Sequence, residues 1–298
     1  MNWIEISLEA TEEAIDWIRS LLATIDYNGD LQIERSKSRW AFQVRFYLPI
    51  CDRAKVNQIE TALSSLHRTG MTTELEISIV EQKLDPTIAV YRVSDRFVIA
   101  NENYPVQPNE IVLNIQESLA FGSGFHPATI LSLRLIERHV KPNLEVLDLG
   151  CGSGILSIAM AKLAAQVHAI DNDVIAVEAT KRAVLENSVC AQIDRASLGK
   201  GSELGHWMGK ETGETRSIEP NQNFDLITAN VFARIILDLS NDLKKALRPR
   251  GKLILAGFTI EYEMELTETL IPLGFDLIDR EQTGDWIAIV YQLKPLQD

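Results

Sequence analysis

Positive charge is scarce in this chain. Its 298 residues hold 29 lysines and arginines against 42 aspartates and glutamates, a formal net charge of −13. Nucleic-acid surfaces work by displacing counterions with a basic stripe, so direct nucleic-acid binding is not expected and a basic protein partner suits the balance better. The same acidity serves plain solubility equally well, because net charge does not fix fold or chemistry. Cysteine is sparse too. Cys51, Cys151 and Cys190 are odd in number, far apart and without CxxC spacing, so neither a disulfide framework nor a metal site is indicated, and a reducing cytoplasm fits. Long apolar runs are missing. The opening "MNWIEISLEATEEA" has no apolar signal core, and the most hydrophobic helical stretch, residues 155 to 165, is interrupted by Lys162 well short of a membrane span. A soluble, cytoplasmic monomer is the expectation. No internal repeat or heptad array is present.

What is there divides in two. The length exceeds a comfortable single small domain, and a hydrophobic fraction of 46% lets each of two domains bury a core. "WIEISL" alternates as a strand, and Ala14, Ile15, Ile18, Leu21, Leu22 and Ile25 then recur at helical spacing. After the turn signal "YNGD", "LQIERS" and "WAFQVRFYLP" read as strands, "DRAKVNQIETALSSLHRTG" as a helix ending at Gly70, and "TELEISIVEQ" as a strand. This β-α-β-β-α-β order predicts a ferredoxin-like α+β domain over residues 1–84. It carries no chemical signature, and its lone His67 reads as a solvated or capping residue. Residues 85–114, with Pro86, Pro105 and Pro108 among short strand-like pieces such as "RFVIA" and "EIVLNI", read as a linker and the entry to a second domain over 115–298.

In that second domain strand and helix patterns alternate, as a mostly parallel sheet requires. "EVLDLG", "QVHAID", a stretch near "VCAQID", "FDLITAN" and "GKLILAGF", the last entered by an "RPRG" turn, are strands one to five. A terminal hairpin around Thr283 and Gly284 adds two more, the last of them antiparallel because a short turn cannot make a parallel crossover. The polar stretch from Ser197 to Asn223 holds five glycines and reads as an exposed insertion, in which His206 and Trp207 are either a substrate contact or an ordinary loop.

The chemistry concentrates in "VLDLGCGSGILSIAMAKLAAQVHAIDND". Gly150, Gly152 and Gly154 follow a buried strand and open a helix, so backbone can approach a ligand where a Cβ would collide, with helix N–H groups aimed at it. Asp171 ends strand two, 21 residues after Gly150, where a carboxylate can accept from both ribose hydroxyls of an adenosine group. A dinucleotide fingerprint would need G-x-G-x-x-G, but Ile155 stands at the third glycine position, and this favours S-adenosylmethionine over NAD. Asp148 either neutralises the cationic end of that cofactor or fixes the turn through backbone N–H bonds. Asp173 is expected to cap the next helix.

Upstream, "LAFGSGFHPAT" (119–129) is a second glycine-rich loop feeding a helix. Pro127 at an early helical position and the Thr129 hydroxyl leave donors suited to a carboxylate, such as the methionyl end of the cofactor. His126 is open to two roles, general base or loop-fixing hydrogen bonder. Asn230 ends strand four at the carboxyl edge of the sheet, where its amide can hold a cofactor group, position an attacking amine, or cap the following helix.

Taken together, "LAFGSGFHPAT", "VLDLGCGSGILSIAMAKL", "AIDND", "ANVFA" and "DWIAIVYQL" resemble the ribosomal protein L-eleven methyltransferase family over nearly the whole chain. The resemblance implies a seven-stranded, mostly parallel class I methyltransferase sheet with a smaller N-terminal domain that recognises substrate. It implies S-adenosylmethionine-dependent methylation of lysine side chains and the N-terminal amine of that large-subunit ribosomal protein. It carries cofactor contacts onto Thr129, Gly150, Asp171 and Asn230. This chain departs from the family pattern at Ser123 and Ala128, where threonines are usual, at Phe125, and at Asn230-Val231-Phe232-Ala233 in place of N-I-L-A.

Other functions compete. A methyltransferase acting on another protein or on RNA is the nearest alternative; the Asn-Pro-Pro-aromatic signature expected for a planar amide or adenine acceptor is missing after strand four. An NAD-dependent oxidoreductase is opposed by Ile155, and a non-catalytic cofactor-binding protein would share every motif above. No residue is assigned as general base.

Overall fold

The computed structural model describes residues 3–25, 27, 29, 31–36, 38–50, 52–81, 91–100, 104–115, 124–199, 216–221 and 223–295. They fall into two compact units, one over 1–91 with 100–104, the other over 92–99 with 105–298.

In the first unit, β1 (Trp3–Ala10), α1 (Ala14–Thr24), β2 (Leu31–Arg35), β3 (Phe42–Pro49), α2 (Arg53–Arg68) and β4 (Glu76–Val80) follow in order. The sheet order is β2-β3-β1-β4, with every pairing antiparallel. Period-two alternation puts Ile4, Ile6 and Leu8 of β1 and Phe42, Val44 and Phe46 of β3 into the core. They meet Ile15, Ile18 and Leu22 of α1 and Ile59 and Leu63 of α2, which recur at helical spacing. α2 stops because Gly70 takes φ +74°, letting its N–H and that of Met71 bond back to the His67 and Leu66 carbonyls. His67 sits in that last turn, half-exposed, its Nδ1 3.3 Å from the Thr72 carbonyl.

Next along the chain come β5 (Tyr91–Arg92), whose Tyr91 still belongs to the first unit, and β6 (Phe97–Ile99) and β7 (Ile111–Leu113) of the second, the last two parallel. Then come α3 (Pro127–His139), β8 (Glu145–Leu149), α4 (Ile155–Lys162), β9 (Gln166–Asp171), α5 (Val174–Glu186), β10 (Gln192–Leu198) and β11 (Arg216–Ile218). They are followed by β12 (Phe224–Asn230), α6 (Ala233–Ala246), β13 (Leu247–Thr259), α7 (Glu263–Leu270), β14 (Phe275–Thr283) and β15 (Trp286–Leu293).

The sheet order is β11-β10-β9-β8-β12-β13-β15-β14. Only β15 is reversed, antiparallel to both β13 and β14. The chain leaves β8 toward β9 and β10, then returns to lay β12 on the other side of β8. That reversal opens a crevice at the carboxyl ends of β8 and β12, where ligands of open α/β sheets bind. Leu147, Leu149, Ile227, Leu253 and Leu255 form one buried face with Ile236 and Leu243 of α6 and Leu266 and Leu270 of α7.

Three sequence expectations change. Among the described residues the sheet has eight strands, not the expected seven: Arg216–Ile218, inside the anticipated insertion, adds parallel to Ala196–Leu198. Three residues are too short to show a period, so sequence pattern could not reveal them. The third strand runs to Leu198, later than "VCAQID", because Ala196, Ser197 and Leu198 are buried. The "RPRG" turn is a bulge within β13: Phe224 pairs with Leu247 and Leu226 with Lys252, the four intervening residues being accommodated by Arg250 at φ +67°. His206 and Trp207, with Cys51 and Ser123, lie outside the described residues.

Candidate active site

β8 delivers the chain to the crevice, and Gly150, Gly152 and Gly154 turn it sharply at φ +76°, +54° and +85°. Those are left-handed conformations that a side chain strains. Space forbids one as well: a Cβ on Gly150 would stand 2.7 Å from Val231 Cγ1, and one on Gly154 would stand 2.9 Å from Thr180 Cα. The turn is tied down by Gly150 and Cys151, whose N–H groups both donate to the Ile170 carbonyl, at 2.9 and 3.1 Å. Cys151 is buried, which pushes its thiol well up, and its sulfur accepts from the Thr180 hydroxyl at 3.2 Å; it is no thiolate nucleophile.

Asp171 ends β9 with its carboxylate already committed to backbone. Oδ2 accepts from Gly152 N–H at 3.1 Å and Oδ1 from Asp173 N–H at 2.9 Å. Burial raises its pKa, against the pull of those two N–H groups. Asp173 caps α5 by accepting from Ile175 N–H at 2.8 Å, the role expected of it.

Asp148 is held mainly through side-chain hydroxyls. It is buried beneath the turn, where Oδ2 accepts from the Ser157 hydroxyl and Oδ1 from the Thr228 hydroxyl at 3.1 Å. It therefore pins β8 to α4 and β12. Burial raises its pKa to about 6, although both hydroxyls oppose the rise.

α3 starts at the same crevice. His126 is its N-cap: Nδ1 accepts from Ala128 N–H at 3.2 Å, and Pro127 occupies the first helical position. Of the two roles left open for His126, this geometry fits loop fixing. Its ring meets the edge of Trp286 with centroids 4.4 Å apart. Gly124, at φ +90°, lets the loop pass between Ile99 and Ile155, each within 2.6 Å of where a Cβ would be. Ala128 is fully buried in the first turn.

Thr129, also fully buried, meets the end of β12: its hydroxyl oxygen accepts from Asn230 Nδ2 at 3.2 Å. Asn230 is not the helix cap, since α6 begins at Ala233 with Phe232 at the N-cap. Its Oδ1 is shielded from solvent and has no hydrogen-bond partner among the described residues. An acceptor left so costs about 1–3 kcal/mol, a deficit that an N–H on a bound molecule would remove. Thr129 touches Asn230, Val231 lies on Gly150, and Gly150 is bonded to the residue preceding Asp171. The four positions singled out in the sequence thus form one continuous row along the crevice.

Several contributors had no local sequence signal. Gly257, at φ +93°, lets β13 approach Val231 so closely that a Cβ would stand 2.6–2.9 Å from three of its backbone atoms. Its place in "LILAGF", at the end of a strand, was the one hint. Thr228 and Trp286 act through partners far away in sequence, and Ser157 reaches Asp148 from the helix after the turn. Among the described residues no three His, Cys, Asp or Glu side chains gather as a metal site. No helix there is long and apolar enough to cross a membrane.

Comparison with known proteins agrees with this geometry. Residues 2–294 match the family model described as Ribosomal protein L11 methyltransferase (PrmA). A ribosomal protein L11 methyltransferase of Chloroflexus aurantiacus is 36% identical, the alignment covering 98% of each chain. The Herpetosiphon aurantiacus protein of the same name is 33% identical over 99% of this chain and all of that one. The crystal structure of a ribosomal protein L11 methylase from Lactobacillus delbrueckii subsp. bulgaricus superposes with a TM-score of 0.56 at 30% identity, covering 69% of this chain and 98% of that one.

Proposed function

The chain belongs to the ribosomal protein L11 methyltransferase family, and on that premise we propose how its residues divide the work of an S-adenosylmethionine-dependent methyltransferase. The acceptors are lysine side chains and the N-terminal amine of ribosomal protein L11, recognised through the first unit, in the cytoplasm.

Thr129, Gly150, Asp171 and Asn230 hold the cofactor. Asp171, whose oxygens each keep a further lone pair after binding Gly152 and Asp173, accepts from the ribose hydroxyls. Gly150 lets the chain pass without a side chain in the ligand's way. The Thr129 hydroxyl proton, not used by Asn230, is available to the methionyl carboxylate. Asn230 Oδ1, a shielded acceptor without a partner among the described residues, takes an N–H from the bound methionyl group or from the attacking amine. That unsatisfied oxygen beside the glycine turn is the observation carrying the reading.

When bound, the cofactor supplies a methyl group already activated on a sulfonium, so alignment of the amine is the main requirement, and orientation is worth effective molarities of roughly 10⁵ M or more. A lysine of pKa about 10.4 is neutral in only about one molecule in 10³ at pH 7, a barrier near 4.6 kcal/mol. The crevice lowers that barrier by desolvating the amine, and no dedicated base is assigned.

The test is to incubate the enzyme and labelled cofactor with the ribosomal protein and, separately, with bare ribosomal RNA, and then map the products by mass spectrometry. Methyl groups on lysines and the N-terminal amine are expected. Label on RNA and none on protein would overturn the assignment.

A further inference from the structure

Between Lys252 and Arg280 the chain carries no lysine or arginine, and within that span Ile260-Glu261-Tyr262-Glu263-Met264-Glu265 alternates large apolar and acidic residues. Such alternation would hide one face of a strand, but here it falls on a 3₁₀ turn, Ile260–Tyr262, and the first turn of α7. Leu266 and Leu270 take the core face of that helix, and Ile260, Tyr262 and Met264 are left 42%, 38% and 71% exposed. Among the described residues no other stretch of five exposes three large apolar side chains. The carboxylates have an ordinary reason to be there, since they suit the positive end of a helix. The apolar side chains have none in the fold, and clustered exposure of this kind marks a contact surface.

The sheet fixes where the group stands. β13 pairs Ala256 with Asn230 and Thr259 with Trp286, and Ile260 N–H donates to the Asp285 carbonyl at 2.8 Å. The group therefore lies at the carboxyl edge of the sheet, the edge on which the crevice opens. Three residues of strand, roughly 10 Å, separate Thr259 from the level of Asn230. That is too far to touch the reacting amine and near enough to hold the chain that carries it.

Charge selects the partner. Glu263 is neutralised by Arg280, which donates to it from Nε and Nη2 at 2.8 and 2.9 Å. Glu261 accepts from the Thr259 hydroxyl at 2.9 Å, and neither it nor Glu265 is in an ion pair among the described residues. A surface both apolar and acidic matches a segment both apolar and basic.

We propose that Ile260, Tyr262 and Met264, with Glu261 and Glu265, form a docking surface for a lysine-bearing apolar segment of the acceptor protein. The proposal rests on the reading above, in which the acceptor presents lysines, and it adds a foothold on the second unit to the recognition assigned to the first. The flexible thioether of Met264 adapts to the segment it meets, and Tyr262 covers apolar area while keeping its hydroxyl in water. The carboxylates draw the lysines in and fix the register of the segment.

The experiment titrates the ribosomal protein into the full-length enzyme saturated with S-adenosylhomocysteine, and follows methyl transfer in parallel. Wild type is compared with the double variant Ile260→Ser, Met264→Ser and with Glu265→Lys, all at exposed positions where substitution costs the fold little. The double variant should weaken binding and raise KM about tenfold, with kcat and cofactor affinity unchanged. Glu265→Lys should cost about threefold at low salt, a loss that fades as ionic strength rises. Unchanged affinity for the ribosomal protein, or a loss carried by kcat or by the cofactor, would overturn the proposal while the methyltransferase reading stands. A wild-type dimer in sedimentation that the double variant dissolves would assign the surface to a second copy of the chain, and overturn it as well. A wild-type enzyme that neither binds nor methylates the ribosomal protein would overturn the reading above, and this inference with it.

Discussion

Asn230 Nδ2 donates to Thr129 Oγ1 at 3.2 Å, joining residues 101 positions apart in sequence. This bond fastens the first turn of α3 to the end of β12. It also orients the amide so that its carbonyl oxygen, not its nitrogen, is left for a ligand.

The two side chains should therefore behave as one unit toward the cofactor. Thr129→Ala and Asn230→Ala are each expected to weaken S-adenosylmethionine binding about tenfold, a loss of about 1.4 kcal/mol. The double variant should fall short of the product of the two, with a coupling of about 1 kcal/mol. Calorimetry on the four proteins measures it, and strictly additive losses would show that the bond does not organise the site.

Asp171 should tolerate even its amide poorly. In Asp171→Asn the NH₂ group would face either Gly152 N–H or Asp173 N–H, both of which now donate to the carboxylate. Hydrogen bonds to a charged group are worth about 1.5–3 kcal/mol, so cofactor affinity should drop by roughly 10–100-fold. Unchanged affinity would remove Asp171 from the binding site.

Gly257→Ala should be among the costliest single-methyl additions in the chain. It combines a left-handed φ with a collision against Val231 backbone, which cannot swing aside as a side chain would. A loss of about 2–4 kcal/mol is expected in denaturant unfolding, with methyl transfer reduced in parallel because Val231 carries Asn230 with it. A variant as stable as wild type would mean that β13 moves away at little cost.

Asp148 gives the fold a pH dependence of known sign. Burial raises its pKa from 3.8 to about 6, so the folded state favours the protonated acid. Its stabilising contribution is complete below pH 3.8 and is lost as pH rises through about 6. Between pH 3.5 and 7, the stability of wild type measured against Asp148→Asn should decline by on the order of 3 kcal/mol. A difference that stays flat, or grows with pH, would contradict the burial.

Much of this was legible because the signals are local. Gly150, Gly152, Gly154 and Asp171 lie within one strand-turn-helix-strand segment, where spacing alone fixes their relation, and Asp173 sits at a helix start that its residue type favours. The partnership of Thr129 with Asn230 could not be read in this way, because it depends on β12 lying beside β8, a consequence of topology. Asp148 shows the limit most clearly. Its place on the strand two residues before Gly150 was evident, but its two hydroxyl partners come from α4 and β12, and only packing brings them to the same carboxylate. The strand at Arg216–Ile218 was invisible because edge pairing over three residues leaves no periodic trace.

The reversed position of β15 also bears on how the molecule assembles. During synthesis β13, α7 and β14 emerge first, and strand-helix-strand units of this kind readily form adjacent parallel pairs. In the finished sheet those two strands are not neighbours: β15 must enter between them, contributing hydrogen bonds to both. β15 also begins at Trp286, whose ring meets His126, so the pairing of this last strand is linked to the start of α3. Wherever β15 is unpaired, the edges it covers on β13 and β14 are open to wrong partners.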